Sequence, residues 1–322
     1  MSSRLRLMLA CVFGMNVLAA ISLLAARQFG AAMLAVGLVA YGLGMRHAFD
    51  ADHIAAIDNV TRRLRQMGQR PVAVGFFFSL GHSTVVLLLV LGLALAFGRI
   101  HSVLQSFSDW GVLVSNIFSA AILTLIGLAN LALFRRLIKN HQSSARDEAG
   151  AQQSVGLTTL RPWLAKSWSA IDASWKMYPV GMVFGLGFDT ATEVVLLAIS
   201  VGAVQSGHFP IWAVMTLPLL FTSGMCLMDS LQSLVMLRVY DWAITDDNRS
   251  LKLNTVITGL SVLLALGIAS MRWTDLVNLP WPQTLLGRSL DLAGSSSIGL
   301  IASSVMVLFW VIAFIYHKRQ RS

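Results

Sequence analysis

The sequence predicts an all-α polytopic membrane protein with eight transmembrane helices and both termini in the cytoplasm. Three observations lead to this prediction. Of the 322 residues, 56% are hydrophobic and only 12% are charged, whereas about 25% of the residues in a soluble domain are charged. Apolar runs long enough to cross a bilayer recur along the whole chain. Lys and Arg concentrate in alternate loops, as expected of a chain that crosses a membrane repeatedly.

The individual spans follow from the length of the apolar runs, because a spanning helix needs about 20 mostly apolar residues. The candidates are residues 7–26, 31–58, 72–98, 111–134, 179–205, 211–237, 253–271 and 295–316. The first follows two arginines, as a signal peptide does, but its apolar run is long and no small-residue cleavage site follows. A retained helix is therefore favoured, and residues 1–322 form one transmembrane domain.

The distribution of Lys and Arg predicts the orientation. With the N-terminus in the cytoplasm, most of the 24 Lys and Arg residues fall in inner segments, including a long loop at about residues 139–178. Basic residues favour the cytoplasmic side of the membrane. The net charge of +9 is thus an orientation signal in short loops, and nucleic acid is not an expected partner.

Other protein classes lack support in the sequence. Cys11 and Cys226 both lie in apolar segments, which argues against a disulfide framework. No GxxxxGK[ST] sequence occurs, so the chain is not itself an ATPase. No HExxH sequence or second His-rich box occurs either, which disfavours an intramembrane metalloenzyme.

The second candidate span contains side chains that a bilayer tolerates poorly. Residues 46–53 read RHAFDADH, and most of them are ionisable. Each charged residue near the centre of a membrane helix costs roughly 2.5–3.5 kcal/mol even on the mildest scale. Such groups persist where they face one another, water or a bound ion, and imidazoles with carboxylates suit a divalent cation. The candidate ligands are His47, Asp50, Asp52 and His53.

The spacing of these residues leaves two geometries open. On a 3.6-residue helix His47, Asp50 and His53 share a broad face, whereas Asp52 lies about 100° around from His53. A straight helix therefore cannot aim all four groups at one point. Either Asp52 serves a neighbouring helix, or the helix is unwound here, and the two glycines just upstream favour a distortion.

Three other candidate spans carry polar residues at a similar depth, judged from the rise of about 1.5 Å per residue. They are Ser79 and His82 in the third span, Asp189, Thr192 and Glu193 in the fifth, and Asp229 and Gln232 in the sixth. The first, fourth, seventh and eighth spans carry almost none. A common depth on four helices predicts one shared site.

Each of these residues also has a purely structural interpretation. A single His82 after a glycine is more often a hydrogen-bonded contact between helices than a metal ligand. Asp189 and Glu193 lie on one helix face and are compatible with packing through shared protons. Arg46 lies four residues before Asp50, so a structural ion pair is preferred to a role at the metal.

Short sequence similarities between the two halves of the chain favour an inverted repeat. Residues 42–44 (GLG) precede the acidic run of the second span, and residues 185–187 (GLG) precede that of the fifth. Residues 78–81 (FSLG) resemble residues 221–224 (FTSG). Spans three apart run in opposite directions, so a site would lie between the two halves.

Four motifs in order make the chain similar to the nickel/cobalt transporter family (NiCoT). They are residues 46–54 (RHAFDADHI), 78–86 (FSLGHSTVV), 186–193 (LGFDTATE) and 224–232 (GMCLMDSLQ). The last departs from the family pattern Gly-Met-x3-Asp-Thr-x-Asp, because Ser230 replaces Thr and Gln232 replaces the final Asp. The resemblance covers residues 42–233, and the loss of that carboxylate bears on metal preference and coupling.

The resemblance implies a permease of the bacterial cytoplasmic (inner) membrane that imports Ni²⁺ or Co²⁺ as its substrate. It implies no bound cofactor and no ATPase subunit. His47 and His53 are then the first expected ligands, with Asp52 as a third ligand or as the acceptor that fixes an imidazole tautomer. His82, Asp189, Glu193 and Asp229 complete the site or line the path. A metal exporter and an intramembrane metalloenzyme are the alternatives.

Overall fold

The computed structural model describes residues 3–96, 171–186 and 191–244, with further helical residues scattered between 117 and 138, between 255 and 276, and at 304 and 308. Regular structure in these parts is helical, and no strand occurs there. The continuous stretches contain helices α1 (Ser3–Ala26), α2 (Ala31–His47), α3 (Ala51–Gln66), α4 (Val74–Ala96), α5 (Met177–Phe184), α6 (Ala191–Gln205) and α7 (Ile211–Ile244). The all-α prediction is confirmed for the described residues.

Four of the predicted spans have counterparts of membrane-crossing length. Three helical stretches are long and apolar enough alone, namely Ser3–Phe29, Val74–Leu95 and Ile211–Arg238. The fourth counterpart is the pair α2 and α3, which meet at an angle of 52°. The fifth predicted span corresponds to α5 and α6, between which residues 187–190 lie outside the described part. The candidates at 111–134 and 253–271 are described only in part, and the candidate at 295–316 and most of the loop at 139–178 fall outside the described residues, apart from residues 304 and 308.

The second predicted span is a broken helix rather than one continuous helix. Helix α2 ends at His47, and α3 begins at Ala51 after a turn in which Asp50 is extended, with φ −67° and ψ 144°. Asp52 falls in the first turn of α3, where a negative charge favours the helix N-terminus. Of the two geometries left open by the spacing, the interrupted helix is the one observed.

Helix α7 is the centre of the packing. It contacts α1, α2, α3, α4 and α6. The larger apolar cluster lies between α2 and α7 and includes Met33, Ala40, Leu217 and Phe221. A second cluster joins α3, α4 and α5 around Ile57, Phe78 and Met177. The two clusters flank the break between α2 and α3.

Glycines allow α2 and α7 to cross at backbone contact. A Cβ atom on Gly44 would overlap the backbone of Phe221, and a Cβ atom on Gly224 would crowd the carbonyl oxygen of Tyr41. Close approach of two helices requires small residues at such a point. The ring of His47, one turn beyond Gly44, then lies 5.4 Å from the ring of Phe221.

Helices α4 and α5 cross in the same way. A Cβ atom on Gly81 would overlap Tyr178, and one on Gly181 would overlap Phe78. The ring of Phe184 lies 5.5 Å from that of Phe78. Tyr-x2-Gly-Met therefore packs on Phe-x2-Gly in both crossings, with residues 41–45 on 221–224 and residues 178–182 on 78–81.

The structure and the sequence comparison pair one glycine of the two halves differently. The FSLG and FTSG segments each contact a Tyr-x2-Gly-Met segment. Gly44, however, corresponds by its contacts to Gly181, whereas the sequence comparison pairs it with Gly187. Gly187 lies outside the described residues. The contacts between helices show which glycines correspond, whereas the GLG sequences alone do not show which helix each glycine packs against.

Candidate metal centre

Three buried histidines from three helices meet at the break. His47 is the last residue of α2, His53 lies in the first turn of α3, and His82 lies in the middle of α4. Each offers one ring nitrogen, and these atoms lie within 4.8 Å of one another. At most 2% of each residue is exposed. His82, which the common depth of the polar residues assigned to the same site, lies in one cluster with the two histidines of the RHAFDADH run.

The interrupted helix brings His47 and His53 together. In a continuous helix, residues six positions apart are separated by about 9 Å along the axis. Here the centroids of the two rings are 4.5 Å apart. The ring of His82 lies 4.8 Å from that of His47 and 5.0 Å from that of His53. The 52° bend thus brings the rings of His47 and His53 close together, and with the ring of His82 they form a triangle.

Two carboxylates lie behind the rings. Asp50 Oδ2 is 2.7 Å from His47 Nδ1, and Asp229 Oδ2 is 3.1 Å from His53 Nδ1. A carboxylate accepts hydrogen bonds, so Nδ1 of each ring donates to it, and in a neutral ring the lone pair then lies on Nε2. Carboxylate–histidine pairs of this kind fix the tautomer of metal-binding imidazoles. In their neutral form both rings therefore offer Nε2 as a ligand atom for a cation.

Two hydroxyl groups extend these contacts. Ser79 donates to Asp229 Oδ2 at 2.6 Å, and its oxygen also lies 2.8 Å from the carbonyl of Gly75. Thr192 Oγ1 lies 3.0 Å from His47 Nδ1. Residues from α2, α3, α4, α6 and α7 therefore converge at the break.

Glu193 approaches the cluster from its other side. Its Oε1 atom is 2.8 Å from His82 Nε2 and 3.7 Å from His47 Nε2. These two ring nitrogens are themselves 3.1 Å apart. Glu193 is 1% exposed. Three electron-rich atoms thus converge, an arrangement that is unfavourable unless a proton or a cation lies between them.

Several buried polar atoms of the site have no hydrogen-bond partner among the described residues. They include His53 Nε2, His82 Nδ1 and Asp229 Oδ1. Buried polar atoms normally have a partner, and an exception calls for an explanation. Free donor atoms on a ring whose other nitrogen is held by a carboxylate fit a site that receives a cation.

Aromatic rings enclose the histidines. Phe78 contacts the His53 ring edge-on with a centroid distance of 4.8 Å and an interplanar angle of 89°. Phe221 lies 5.4 Å from the His47 ring. Apolar walls limit water around the donor atoms and so strengthen their interaction with a charge.

The remaining predicted residues lie at the edge of the cluster or outside it. Asp52 is half-buried and is not a member of the three-histidine group. Gln232 is 7% exposed, and its Nε2 has no hydrogen-bond partner in the described part of the chain. Asp189 lies outside the described residues.

The expected ion pair between Arg46 and Asp50 is not found among the described residues. Asp50 contacts His47 instead, and Arg46 is exposed. The physical reason is the helix break, because Asp50 lies after the end of α2 and no longer follows Arg46 by one helical turn.

A second polar group lies one to three turns along α3 from His53. Arg62 donates to Thr258 Oγ1 at 2.9 Å, to Asn59 Oδ1 at 3.2 Å and to Asn130. The hydroxyl of Tyr240 donates to Asp58. The sequence signal was the pair of opposite charges on Asp58 and Arg62, four residues apart at the inner end of the second predicted span. Asn130 and Thr258 are single polar residues that reveal no partner by spacing.

Several known proteins are similar to this chain over most of its length. Residues 33–318 match the NicO family model, described as a high-affinity nickel-transport protein. The chain is 41% identical to the nickel transporter NicT of Mycobacterium tuberculosis, over 91% of this chain and 80% of that protein.

Two further relatives extend the comparison. The high-affinity nickel transport protein of Cupriavidus necator is 35% identical over 99% of this chain and 93% of its own length. The cobalt transport protein NhlF of Rhodococcus rhodochrous is 37% identical over 89% and 84%. No solved structure matches significantly.

Proposed function

This chain belongs to the NicO family of high-affinity nickel-transport proteins, and we propose that it is a secondary permease that imports Ni²⁺ or Co²⁺ through the three-histidine site. Two of the relatives are named for nickel and one for cobalt, which supports this pair of substrates. The proposed location is the cytoplasmic membrane of a bacterium, with eight spans and both termini inside.

The observation that supports the site most strongly is the convergence of His47, His53 and His82 within 4.8 Å. Imidazole suits nickel and cobalt, whereas magnesium and calcium prefer oxygen donors. In this proposal Asp50 and Asp229 hold the His47 and His53 rings through Nδ1, and the metal ion meets the Nε2 atoms. Asp52, Asp189 and Gln232 line the path, and Arg46 lies at its edge.

The membrane potential supplies the driving force in this proposal. An inside-negative potential contributes about 2.3 kcal/mol per elementary charge per 100 mV, and a dication gains twice as much. Accumulation of the metal then requires no ATP hydrolysis by this chain or by a partner subunit.

Two interrupted helices support an inverted repeat with the site between its halves. The break between α2 and α3 and the interval between α5 and α6 both follow a Tyr-x2-Gly-Met segment that crosses a partner helix. Discontinuous helices near the bilayer midplane are common in secondary transporters, where one repeat moves against the other. We infer that the first repeat comprises α2 to α4 and the second α5 to α7.

An uptake experiment tests the proposal. The full chain is expressed in cells that lack other nickel uptake, and cell-associated radioactive nickel or cobalt is measured at trace concentration. An importer raises the level and His47→Ala abolishes the increase. His208→Ala is the matched control, because His208 is exposed in the turn between α6 and α7. A lowered level would identify an exporter, and an unchanged level would contradict transport.

A further inference from the structure

We propose that the buried polar residues around Arg62 form the cytoplasmic gate of the transport path, a contact that closes the path beyond the metal site and opens to release the ion. The Arg62 cluster, as we call it, consists of Asp58, Asn59, Arg62, Asn130, Tyr240 and Thr258. This inference rests on the proposed function, since a gate has a meaning only on a path across the membrane.

The members of the Arg62 cluster lie at the cytoplasmic ends of four predicted spans. They are Asp58, Asn59 and Arg62 at the end of the second span, Asn130 near the end of the fourth, Tyr240 just after the sixth and Thr258 near the start of the seventh. In the proposed orientation these are all inner ends. His53 precedes Arg62 by nine residues, which is about 14 Å along a helix. The cluster therefore lies between the metal site and the cytoplasm.

Arg62 joins α3 to two other helical segments. Its guanidinium donates to Thr258 Oγ1 at 2.9 Å and to Asn59 Oδ1 at 3.2 Å, and it also donates to Asn130. The side chain of Asn130 in turn donates to Asn59. The segments that carry Asn130 and Thr258 follow the first and the second proposed repeat along the chain. One side chain thus holds both segments against α3, and a movement of one repeat against the other has to break these contacts.

Burial and charge make the Arg62 cluster a barrier to a cation. Arg62 is 3% exposed and Thr258 is fully buried. A guanidinium repels an approaching dication, most strongly where little water screens the two charges. An ion that moves from the metal site to the cytoplasm along α3 therefore requires the Arg62 side chain to withdraw. The hydrogen bonds described for Arg62 go to amide and hydroxyl oxygens, and single bonds of this kind are weak enough to break and form again.

Polar atoms on α7 mark a route from the metal site to the Arg62 cluster. Asp229, Ser233 and Tyr240 follow one another at intervals of four and seven residues, so they share one face of α7. Asp229 contacts His53 at one end of this face, and Tyr240 contacts Asp58 at the other. Ser233 lies between them, is fully buried, and its hydroxyl, like Asp229 Oδ1, has no hydrogen-bond partner among the described residues. Such atoms fit a route that takes up water or the ion when the gate opens.

Thiol labelling of a cysteine on this route tests the gate. Ser233→Cys is introduced into the full chain together with Cys11→Ser, because Cys11 is exposed and Cys226 is buried. A membrane-impermeant maleimide is applied to inverted membrane vesicles, whose cytoplasmic face points outward, and the chain with Cys11→Ser alone gives the background labelling of Cys226. With the gate closed for most of the time, labelling of Ser233→Cys should be slow.

Opening the Arg62 cluster should speed this labelling. Thr258→Val keeps nearly the same shape and removes an oxygen that accepts a hydrogen bond from Arg62. We expect the labelling rate of Ser233→Cys to rise about tenfold, the change in open population that follows the loss of one hydrogen bond to a charged group. Asn130→Ala removes another acceptor of Arg62 and serves as the second variant if Thr258→Val does not fold.

Two controls separate the gate from general loosening of the protein. Thr216→Val removes an equally buried hydroxyl that joins α7 to α1 through Ser22 at 2.6 Å, away from the Arg62 cluster, and it should leave the labelling rate unchanged. Met67→Cys, placed just after α3 where half of the side chain is exposed, should be labelled at one rate with and without Thr258→Val. Thermal unfolding of the purified variants measures their stability.

The outcomes distinguish this inference from the proposed function. Equal labelling of Ser233→Cys with and without Thr258→Val, or an equal rise in Thr216→Val, would mean that the Arg62 cluster is only a packing contact, and the inference would be overturned. Fast labelling with the cluster intact would also overturn it, because the route would then be open. Absence of nickel uptake by the wild-type chain would instead overturn the proposed function, whatever the labelling rates.

Discussion

The two glycine crossings share a backbone arrangement and differ in one ring. In both, a Tyr-x2-Gly-Met segment packs on a Phe-x2-Gly segment. Three residues after the glycine, the first crossing has His47 and the second has Phe184, at nearly equal distances from a phenylalanine ring. The glycines therefore provide the close approach in both halves, and the identity of one side chain decides which crossing carries a potential ligand.

The helices that follow the two crossings differ in their surroundings. In α3 every side chain from residue 53 to residue 62 is buried. In α6 only one face is covered, since Glu193 and Leu196 are buried while Val194 and Val195 are 51% and 42% exposed. Helix α3 is thus enclosed by protein, whereas α6 presents an apolar face of the kind that meets lipid.

Replacing a glycine at one of the helix crossings should give the largest effect, a loss of correctly folded protein. In Gly44→Val the new side chain overlaps the Phe221 backbone, which cannot move as a flexible side chain would. Overpacking typically costs about 1–3 kcal/mol and more against rigid backbone, so we expect little monodisperse protein in detergent. Gly181→Val should behave alike, because it meets the backbone of Phe78.

Gly42→Val is the matched control for this prediction. Gly42 lies two residues from Gly44 on the same helix and has open space around it. Equal yield and thermal stability of Gly44→Val and Gly42→Val would show that the crossing is not as close as described.

A variant that makes the first crossing resemble the second should separate the loss of a metal ligand from a loss of helix packing. His47→Phe places at residue 47 the ring that Phe184 provides in the other half, so the fold should persist. Uptake of nickel should fall by at least about 100-fold, because the variant loses a ligand rather than an orienting partner. Uptake in cells and thermal unfolding of the purified protein are the two measurements. Wild-type uptake by this variant would contradict the comparison.

Asp229→Asn should reduce metal affinity by about 10–100-fold, the range typical of a group that orients a metal-binding imidazole. The amide can still contact His53, but it no longer imposes the Nδ1 tautomer as a carboxylate does. Equilibrium titration with Ni²⁺ measures the change. A loss as large as that of His53→Ala would mean that Asp229 binds the metal directly.

Removing the corresponding hydroxyls of Ser79 and Thr222 should give the smallest difference in Ni²⁺ binding. Ser79 donates to Asp229 and also approaches the carbonyl four residues earlier, whereas Thr222 contacts only the corresponding carbonyl of Pro218 in the described structure. Ser79→Ala should weaken Ni²⁺ binding about tenfold, as the loss of one hydrogen bond to a charged group costs about 1.5 kcal/mol. Thr222→Ala should leave binding unchanged. Equal effects of the two would imply that the contact between Ser79 and Asp229 does not matter.

Sequence reasoning grouped polar residues by their depth in the membrane, but it could not tell how they face one another. The depth of the polar residues brought His82, Glu193 and Asp229 into one group with His47 and His53. Helical periodicity assigns a residue to a face of its own helix, and it contains no angle between helices. For that reason the sequence could not tell which side of each ring a carboxylate contacts. Nor could it tell that Asp50 contacts His47 rather than Arg46.

The buried contacts of Arg62 illustrate the same limit. Asn130 and Thr258 are single polar residues in long apolar segments, and nothing in their spacing pairs them with α3. The interruption of the second span was predictable only in part. The glycines and the misaligned Asp52 favoured an interruption, although the sequence did not place it at residues 48–50.

X-ray absorption at the nickel edge of the purified, nickel-loaded full chain tests the central claim most directly. The three-histidine site predicts imidazole scattering and a shell of nitrogen and oxygen donors at about 2.0–2.2 Å, with the imidazole contribution reduced in His47→Ala. A shell of oxygen atoms alone, or a spectrum that is unaffected by loss of His47, would contradict the account.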